Sequence, residues 1–352
     1  MKYPLHVILR KTVANNLNKF LGLFRPKQSI EKSLNKDEVK KILLIRPNYR
    51  IGNILFLTPL INELNKHLPE AKIDIIVGMK LAGKILEPMP NVNHIIDIPR
   101  ELLLHPIELF KYIKKSRQEE YDIAINVAGG STSAQIVMSL VRAKYKASFA
   151  DKKLWTNFTH IQERGEKKFL HMGLESLEFL RFFNLPLPEE APTLDIQLTK
   201  EEIQTADLEL DKLLQKHKIQ KEEHKVVAIF RNARFDKKIA DAWWIELIDE
   251  LKKLDDSLIF IDILSPDIPT KLSDNVLEYA TKDLRKLGAF FQVCDLFISA
   301  DTGPLHLAVA SKANIAALFT KTEIEIYGAL GKNNKNIDIN NLTPQDVAKL
   351  II

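Results

Sequence analysis

The sequence predicts an α/β protein with two parallel-sheet domains, on three observations. From residue 41 onward, short apolar segments alternate with segments of helical spacing, and this alternation is typical of parallel sheets flanked by helices. The alternation occurs twice, once on each side of residues 186–192, a stretch with three prolines and two glutamates. Two such domains joined by one linker form a cleft in which the ends of both sheets can contact one ligand.

In the first half, apolar runs predict four strands, and helical spacing predicts the helices between them. The predicted strands are 42–45, 73–77, 92–98 and 123–127, and the predicted helices are 54–68, 102–115, 133–141 and 171–183.

The second half follows the same order of elements. The predicted strands are 226–230, 258–261, 296–298 and 315–319, and the predicted helices are 243–254, 284–293 and 305–311. The predicted organisation is a basic N-terminal segment at 1–40, domains at 41–188 and 189–340, and a closing helix at 341–352.

The composition indicates a soluble globular protein of the cytoplasm. Of the 352 residues, 45% are apolar and 28% are charged. The single cysteine, Cys294, excludes an internal disulfide and a cysteine metal cluster, as expected in a reducing compartment. No apolar run approaches the roughly 18–20 residues that span a bilayer, and the first residues lack the pattern of a secretory signal.

The positive charge is concentrated at the N-terminus. Residues 1–50 carry 12 Lys/Arg against 3 Asp/Glu, whereas the rest of the chain carries 39 against 43. Apolar residues at positions 13, 17, 20, 21 and 24 share one helical face. Such a basic amphipathic helix is typical of peripheral contact with an anionic membrane, although it could equally pack on the protein itself. A nucleic-acid partner is not expected, because no nucleic-acid motif accompanies the basic tail.

The stretch that follows the predicted strand 296–298 has the features of an anion site. Asp301 or Thr302 can cap the next helix, and Pro304 suits its first turn. Gly303 lacks a Cβ, so a ligand can approach its backbone, and His306 can add a hydrogen bond. The exposed N–H groups and the positive end of the helix dipole would then face a phosphate. The alternative is an ordinary capped helix.

Two further loops follow the first strand of each half. Arg50, Gly52 and Asn53 lie between the first strand and its helix, where Gly52 permits a tight turn and Asn53 either points into the cleft or caps the helix. Four basic residues crowd into positions 231–238, in place to balance the charge of a diphosphate, or else to form a solvated surface. No Asp-x-Asp or histidine pair suits a metal ion, so basic side chains and helix termini would replace one.

These features together resemble glycosyltransferase family nine, the heptosyltransferases of lipopolysaccharide assembly, from about Lys41 to the C-terminus. The most specific match is DTGPLHLA at 301–308, and the stretches 42–69, 171–188, 243–247 and 342–347 are similar to other parts of the family. The resemblance implies the GT-B architecture, in which two Rossmann-like domains face a central cleft. The first domain would bind the acceptor and the second the nucleotide sugar.

The resemblance also implies an activity. The expected reaction is inverting, metal-independent transfer of a sugar, heptose by family analogy, from an ADP-linked donor to a lipid-linked saccharide such as lipopolysaccharide. It would take place at the inner face of the membrane, with no cofactor beyond the donor. Lys237 stands at the family's phosphate-binding lysine, counting back from Trp244. The expected diphosphate-binding residues are Asp301, Thr302, Gly303, His306 and Arg234.

The chain departs from the family at the residue taken as its general base. The family's turn reads Gly-Asp, whereas this sequence has Gly52-Asn53, and an amide cannot take up a proton at neutral pH. Asp151 or Glu163 are other carboxylates in the acceptor-side region, and nothing in the sequence selects between them. After 315–319 the family's Gly-Pro-Thr turn reads TKT at 320–322.

Asn53 therefore keeps a second hypothesis open, a catalytically silent relative that binds a nucleotide or glycan or acts as a scaffold. A nicotinamide dehydrogenase is a third and weaker reading. Neither opening strand is followed by Gly-x-Gly-x-x-Gly, and no P-loop motif occurs.

Overall fold

Two six-stranded sheets, each with all its strands parallel, form the framework of the computed structural model. The structure describes residues 34–47, 50–79, 83–98, 119–151, 156–165, 167–233, 237–265 and 271–352, together with Thr12, Asn16, Lys111 and Leu154. Most of the basic N-terminal segment therefore lies outside the described residues, and so does Arg234. The predicted helix at 102–115 also lies outside them, apart from Lys111.

The bounds of the elements are as follows. The first sheet contains β1 (Lys41–Arg46), β2 (Lys72–Val77), β3 (Val92–Asp97), β4 (Glu120–Asn126), β5 (Arg142–Phe149) and β6 (His160–Gln162). The second contains β7 (Lys225–Phe230), β8 (Leu258–Ile263), β9 (Leu277–Tyr279), β10 (Leu296–Ala300), β11 (Ile315–Phe319) and β12 (Lys335–Asp338).

Helices cover these sheets. The α-helices of the described residues are α1 (Ile51–Leu55), α2 (Thr58–His67), α3 (Thr132–Leu140), α4 (Lys200–Lys216), α5 (Asp241–Leu254), α6 (Leu284–Val293), α7 (Gly303–Ala310), α8 (Ile324–Tyr327) and α9 (Pro344–Ile351). None of them combines the length and apolarity needed to span a bilayer.

The two sheets share one topology. The strand orders are β3-β2-β1-β4-β5-β6 and β12-β11-β10-β7-β8-β9, so the order reverses beside β1 in the first sheet and beside β7 in the second. In open α/β sheets, ligands bind outside the carboxyl ends of the strands at such a switch point. The chain therefore has two candidate binding edges, one at β1 and β4 and the other at β7 and β10.

The eight strands predicted from apolar runs are confirmed. Their apolar character follows from burial on both faces, since Ile42, Leu43, Leu44 and Ile45 are all fully buried. Four strands were not predicted, namely β5, β6, β9 and β12, which lie at or near the sheet edges. The helices α4 and α8 were not predicted either.

Two helix predictions need correction. The single helix expected at 54–68 is two helices, α1 and α2, which are separated at Phe56 and Leu57, with Pro59 in the first turn of α2. The helix expected at 171–183 is a 3₁₀ helix over Glu175–Phe183, in which every residue except Arg181 is buried.

The two halves contact each other directly. The Met172 N–H donates to the Ile326 carbonyl at 3.0 Å. In α6, Arg285 donates to the Ile85 carbonyl of the first half at 2.9 Å. The predicted domain boundaries stay a prediction, but these bonds bring the carboxyl edges of both sheets to one interface.

Candidate active site

An ion pair joins the two central strands of the second sheet at their carboxyl edge. Asp301 directly follows β10, and Lys237 lies in the loop after β7. The Lys237 ammonium is 2.5 Å from Oδ2 of Asp301. The Asp301 side chain is 9% exposed and that of Lys237 is 35% exposed, so the carboxylate is enclosed while its cation reaches the edge of the cleft.

Asp301 also contacts two other side chains. Its Oδ1 lies 3.5 Å from Nε2 of His306, and Thr322 donates a hydrogen bond to it. Burial alone would raise the pKa of the Asp301 carboxyl, but the contacts with His306, Lys237 and Thr322 outweigh burial and hold that pKa well below its usual range. Asp301 is therefore an anion that fixes the positions of Lys237 and His306.

The helix that begins beside this pair has no side-chain cap. Thr302 is the N-cap residue of α7, yet neither its hydroxyl nor Asp301 bonds the first helical N–H groups. The Thr302 hydroxyl instead lies 3.2 Å from the hydroxyl of Ser299. The prediction of a side-chain cap is thus wrong, and no side chain accepts a hydrogen bond from the first N–H groups of α7.

The His306 ring lies against the first half of the chain. Its centroid is 4.8 Å from that of Phe56, in an edge-to-face arrangement. A Cβ on Gly52 would lie 2.8 Å from Cδ2 of His306, which is closer than real side chains approach. A Cβ on Gly303 would lie 3.4 Å from Cβ of Ile51. Both glycines therefore lie where α1 and α7 pack closely. The missing Cβ of Gly303 faces Ile51 of α1, so the expectation that it makes room for a ligand is wrong.

The acceptor-side residues lie on α1 rather than in a loop. Arg50 is the exposed N-cap residue, Gly52 is within the first turn, and Asn53 is the third helical residue. The expected tight turn at Gly52 and the N-cap role of Asn53 are therefore both wrong. The half-buried Asn53 makes no side-chain hydrogen bond within the described part of the chain, so its amide is available to a ligand.

Arg231, the first basic residue of the other loop, is part of the scaffold. It is 3% exposed and pairs with Asp262 at 2.9 Å and with Asp241 at 2.8 Å. Lys238 is exposed, and Arg234 lies outside the described residues. Of the basic residues described in this loop, only Lys237 contacts the Asp301 cluster.

The sequence analysis did not single out His171, which is buried where the two halves meet. Its Nδ1 accepts the Gly173 N–H at 3.0 Å, so Nε2 carries the proton and donates to the Gly328 carbonyl at 2.9 Å. Burial is the main cause that lowers the pKa of His171 to about 4, and it outweighs the bond to Gly328. The ring is therefore neutral at pH 7. Phe56 packs edge-on against it, with ring centroids 5.8 Å apart.

The two carboxylates considered as substitute bases lie elsewhere on the first sheet. Asp151 follows β5 and packs over Gly130, whereas Glu163 is exposed after β6. Neither is brought to the Asp301 cluster by an observed contact. Among the described residues, no group of three or more His, Cys, Asp or Glu side chains is arranged to hold a metal ion.

Thr322 and Phe56 also belong to this site and were missed. Thr322 follows β11, the neighbour of β10, so its position after a strand adjacent to the Asp301 strand was the available signal. Phe56 looked like an ordinary core residue of a longer helix.

The fold is that of solved glycosyltransferases. The heptosyltransferase WaaC of E. coli with ADP matches with a TM-score of 0.70 and 17% identity, covering 88% of this chain and 98% of that chain. E. coli ADP-heptose lps heptosyltransferase II matches with a TM-score of 0.67 and 17% identity, covering 88% and 97%. These likenesses show the GT-B architecture.

Sequence comparison gives the family. Lipopolysaccharide heptosyltransferase 3 of Escherichia coli is 24% identical over 286 residues, which is 77% of this chain and 81% of that protein. The model of glycosyltransferase family 9 (heptosyltransferase) matches residues 109–349, more than half of the chain. The chain therefore belongs to glycosyltransferase family 9 and is a heptosyltransferase-like glycosyltransferase.

Proposed function

We propose that this enzyme transfers heptose from ADP-heptose to a lipopolysaccharide acceptor, with inversion at the anomeric carbon and without a metal ion. The observation that carries the proposal is the Lys237–Asp301–His306 cluster beside the uncapped N-terminus of α7. Solved relatives of the same fold are described with ADP and with ADP-2-deoxy-2-fluoro heptose, which supports ADP as the nucleotide.

The donor diphosphate would lie between Lys237 and the first turn of α7. The ammonium of Lys237 and the N–H groups near Thr302 and Gly303 supply positive charge. Asp301 is itself negative, so its role is to orient Lys237 and His306 rather than to touch the phosphates. Arg234 is proposed to add a second cation from the same loop.

The proposed metal independence is supported by the groups that face the leaving ADP. As the bond between the sugar and the diphosphate breaks, negative charge accumulates on the leaving ADP. A fixed ammonium and the helix N-terminus can stabilise that charge in the role that a divalent cation has in other transferases.

The reaction needs one bond formed and one broken. An acceptor hydroxyl oxygen attacks the anomeric carbon from the face opposite the diphosphate, the carbon–oxygen bond to ADP breaks, and the hydroxyl proton is released to solvent water. The amide of Asn53 cannot take that proton at neutral pH, but it can hydrogen-bond the acceptor hydroxyl and orient it. Arg50 and Gly52 lie on the same helix and complete the proposed acceptor side.

We further propose that the protein works in the cytoplasm, with the basic residues of the segment 1–40 contacting the anionic inner face of the membrane. Sedimentation with vesicles tests this. Binding to vesicles that contain phosphatidylglycerol, lost at high salt and absent with phosphatidylcholine alone, is expected. Equal binding to both vesicle types would contradict an electrostatic contact.

The direct test of the function is a transfer assay. Purified enzyme, ADP-heptose and heptose-deficient lipopolysaccharide are incubated with EDTA, and the product is analysed by mass spectrometry and by NMR of the new anomeric centre. A heptosylated product with inverted configuration is expected. Retention, or activity that EDTA abolishes, would refute those parts of the proposal. ADP binding with no transfer to any acceptor would favour a silent binding protein.

A further inference from the structure

Arg46 is a buried cation at the switch point of the first sheet. It is the last residue of β1, and the residue is 8% exposed. Its Nη1 donates to the Val127 carbonyl at 3.3 Å, while Nε is enclosed and has no hydrogen-bond partner. Within the described part of the chain, no carboxylate forms an ion pair with Arg46. A buried charge without a counterion is costly, so its retention needs a reason.

Arg231 provides a comparison inside the same molecule. It directly follows β7, which holds in the second sheet the place that β1 holds in the first. There the buried guanidinium is matched by Asp262 and Asp241, at 2.9 and 2.8 Å. Both arginines thus lie at the carboxyl edge of a central strand, Arg46 as its last residue and Arg231 one residue beyond it. Among the described residues, only Arg231 has ion-paired carboxylates against it.

Glu175 is the carboxylate with the strongest electrostatic effect on Arg46, and it already pairs with other basic side chains. Glu175 acts on Arg46 through space but lies beyond ion-pair distance from it. The Oε1 of Glu175 is 2.6 Å from the Lys167 ammonium and 3.7 Å from Nη1 of Arg164. Glu175 thus already has two basic side chains at ion-pair distance, and Arg46 is not one of them.

Burial lowers the pKa of Arg46 to about 10, and the fields of Glu175 and Tyr327 only partly offset it. Arg46 is therefore still charged at neutral pH. Tyr327 comes from α8 in the second half of the chain, so the guanidinium lies within reach of groups from both sides of the cleft.

We infer that Arg46 binds an anionic group, a phosphate or a carboxylate, carried by the acceptor saccharide. This inference rests on the proposed transferase function. The donor cluster lies at the edge of the second sheet, whereas Arg46 lies at the corresponding edge of the first and immediately precedes the loop to α1, which carries Asn53. A guanidinium can present two parallel N–H groups to either anion, so an acidic acceptor would supply the counterion that Arg46 lacks within the described part of the chain.

The first experiment measures the stability of the full chain without any ligand. Arg46→Met removes an uncompensated charge and is expected to leave the melting temperature unchanged or to raise it by about 2–4 °C. The matched variant Arg231→Met leaves Asp262 and Asp241 without their cation. It is expected to lower the melting temperature by at least about 6 °C. A fall with Arg46→Met as large as that with Arg231→Met would make Arg46 a structural residue and overturn the inference.

The second experiment measures transfer from ADP-heptose to heptose-deficient lipopolysaccharide. Arg46→Met is expected to raise the acceptor KM by about 10- to 100-fold and to leave ADP affinity within about twofold. Arg46→Lys keeps the charge but not the two-pronged geometry, and should give an intermediate KM. An unchanged acceptor KM would overturn the inference, and so would an equal loss of ADP affinity, which would assign Arg46 to the donor.

The acceptor before and after chemical removal of its phosphates distinguishes the two anions. If the partner is a phosphate, the wild-type enzyme and Arg46→Met should have similar KM values for the dephosphorylated acceptor. If it is a carboxylate, the difference in KM remains. Failure of the wild-type enzyme to bind ADP or to transfer heptose would instead refute the proposed function, and the stability comparison does not depend on that outcome.

Discussion

Gly52 and His306 meet where the two halves of the enzyme pack together, and the missing side chain of the glycine leaves room for the histidine ring. A Cβ on Gly52 would lie 2.8 Å from Cδ2 of His306. The other edge of the His306 ring belongs to the proposed active site, because its Nε2 faces Asp301. Asp301 in turn forms an ion pair with Lys237. The packing of α1 on α7 therefore sets the geometry of the proposed diphosphate site.

Gly52→Ala tests this relationship. The added methyl group must displace the His306 ring or separate the two helices, and such overpacking costs about 1–3 kcal/mol. Turnover is expected to fall by about 5- to 150-fold if that cost falls on the assembled site. Gly165→Ala is the control, because a Cβ there meets nothing within 4 Å. Equal rates for Gly52→Ala and the control would show that this contact does not position the site.

Asn53→Asp should restore a base at the position where the family has one. General-base catalysis contributes about 10²- to 10⁴-fold, and we expect turnover to rise toward the lower end of that range. The rate should also gain a dependence on pH that reports an ionising carboxyl. Asn53→Ala, which removes the amide without adding a base, should lower turnover. Unchanged turnover in Asn53→Asp would show that residue 53 does not lie beside the acceptor hydroxyl.

His171 should make the protein sensitive to mild acid. Its folded-state pKa of about 4 lies below the ordinary value of 6.5, so the unfolded chain binds the proton more readily. The stability this group contributes is complete above pH 6.5 and is lost as the pH falls from 6.5 toward 4. The loss amounts to about 3 kcal/mol over that interval.

Denaturant unfolding of wild type and His171→Gln between pH 7.5 and 4 measures this effect. The variant should be less stable at pH 7.5 because it disturbs the bonds to Gly173 and Gly328, but its stability should vary less with pH. Parallel curves for wild type and His171→Gln would contradict the assignment.

Nucleotide selectivity tests the identity of the donor. A ligand at about 100 times its dissociation constant stabilises a protein by about 2.7 kcal/mol, enough to be seen in thermal unfolding. We expect a shift with ADP that exceeds the shifts with UDP, GDP and CDP. Selectivity for another nucleotide would keep the transferase and replace the proposed donor.

Much of the fold could be predicted from the sequence because the central strands of a parallel sheet are buried on both faces and read as apolar runs. The strands β5, β6, β9 and β12 could not, although the edge strand β3 was predicted. β5 has the burial pattern of a half-exposed strand, with Arg142, Lys144 and Lys146 along it, and β9 has three residues of mixed exposure. Neither has an apolar run to detect.

The site was predicted as far as its residues follow strands in sequence. Asp301 and Lys237 follow β10 and β7, and adjacent parallel strands bring such residues together. The contacts with Phe56 and His171 depend on how the two halves pack, which no local pattern encodes. The sequence also could not show that Arg231 is buried and paired with Asp262 and Asp241. A structural arginine and a phosphate-binding arginine look the same in a sequence.

The most direct test of the central claim, that Lys237 and the α7 terminus bind a nucleotide diphosphate without a metal, is calorimetric titration of ADP in EDTA. Wild type is expected to bind, Lys237→Ala to lose about 10-fold or more in affinity, and the exposed neighbour Lys238→Ala to bind as wild type does. Equal affinity for wild type and Lys237→Ala, or binding by wild type only when a divalent cation is added, would contradict the account.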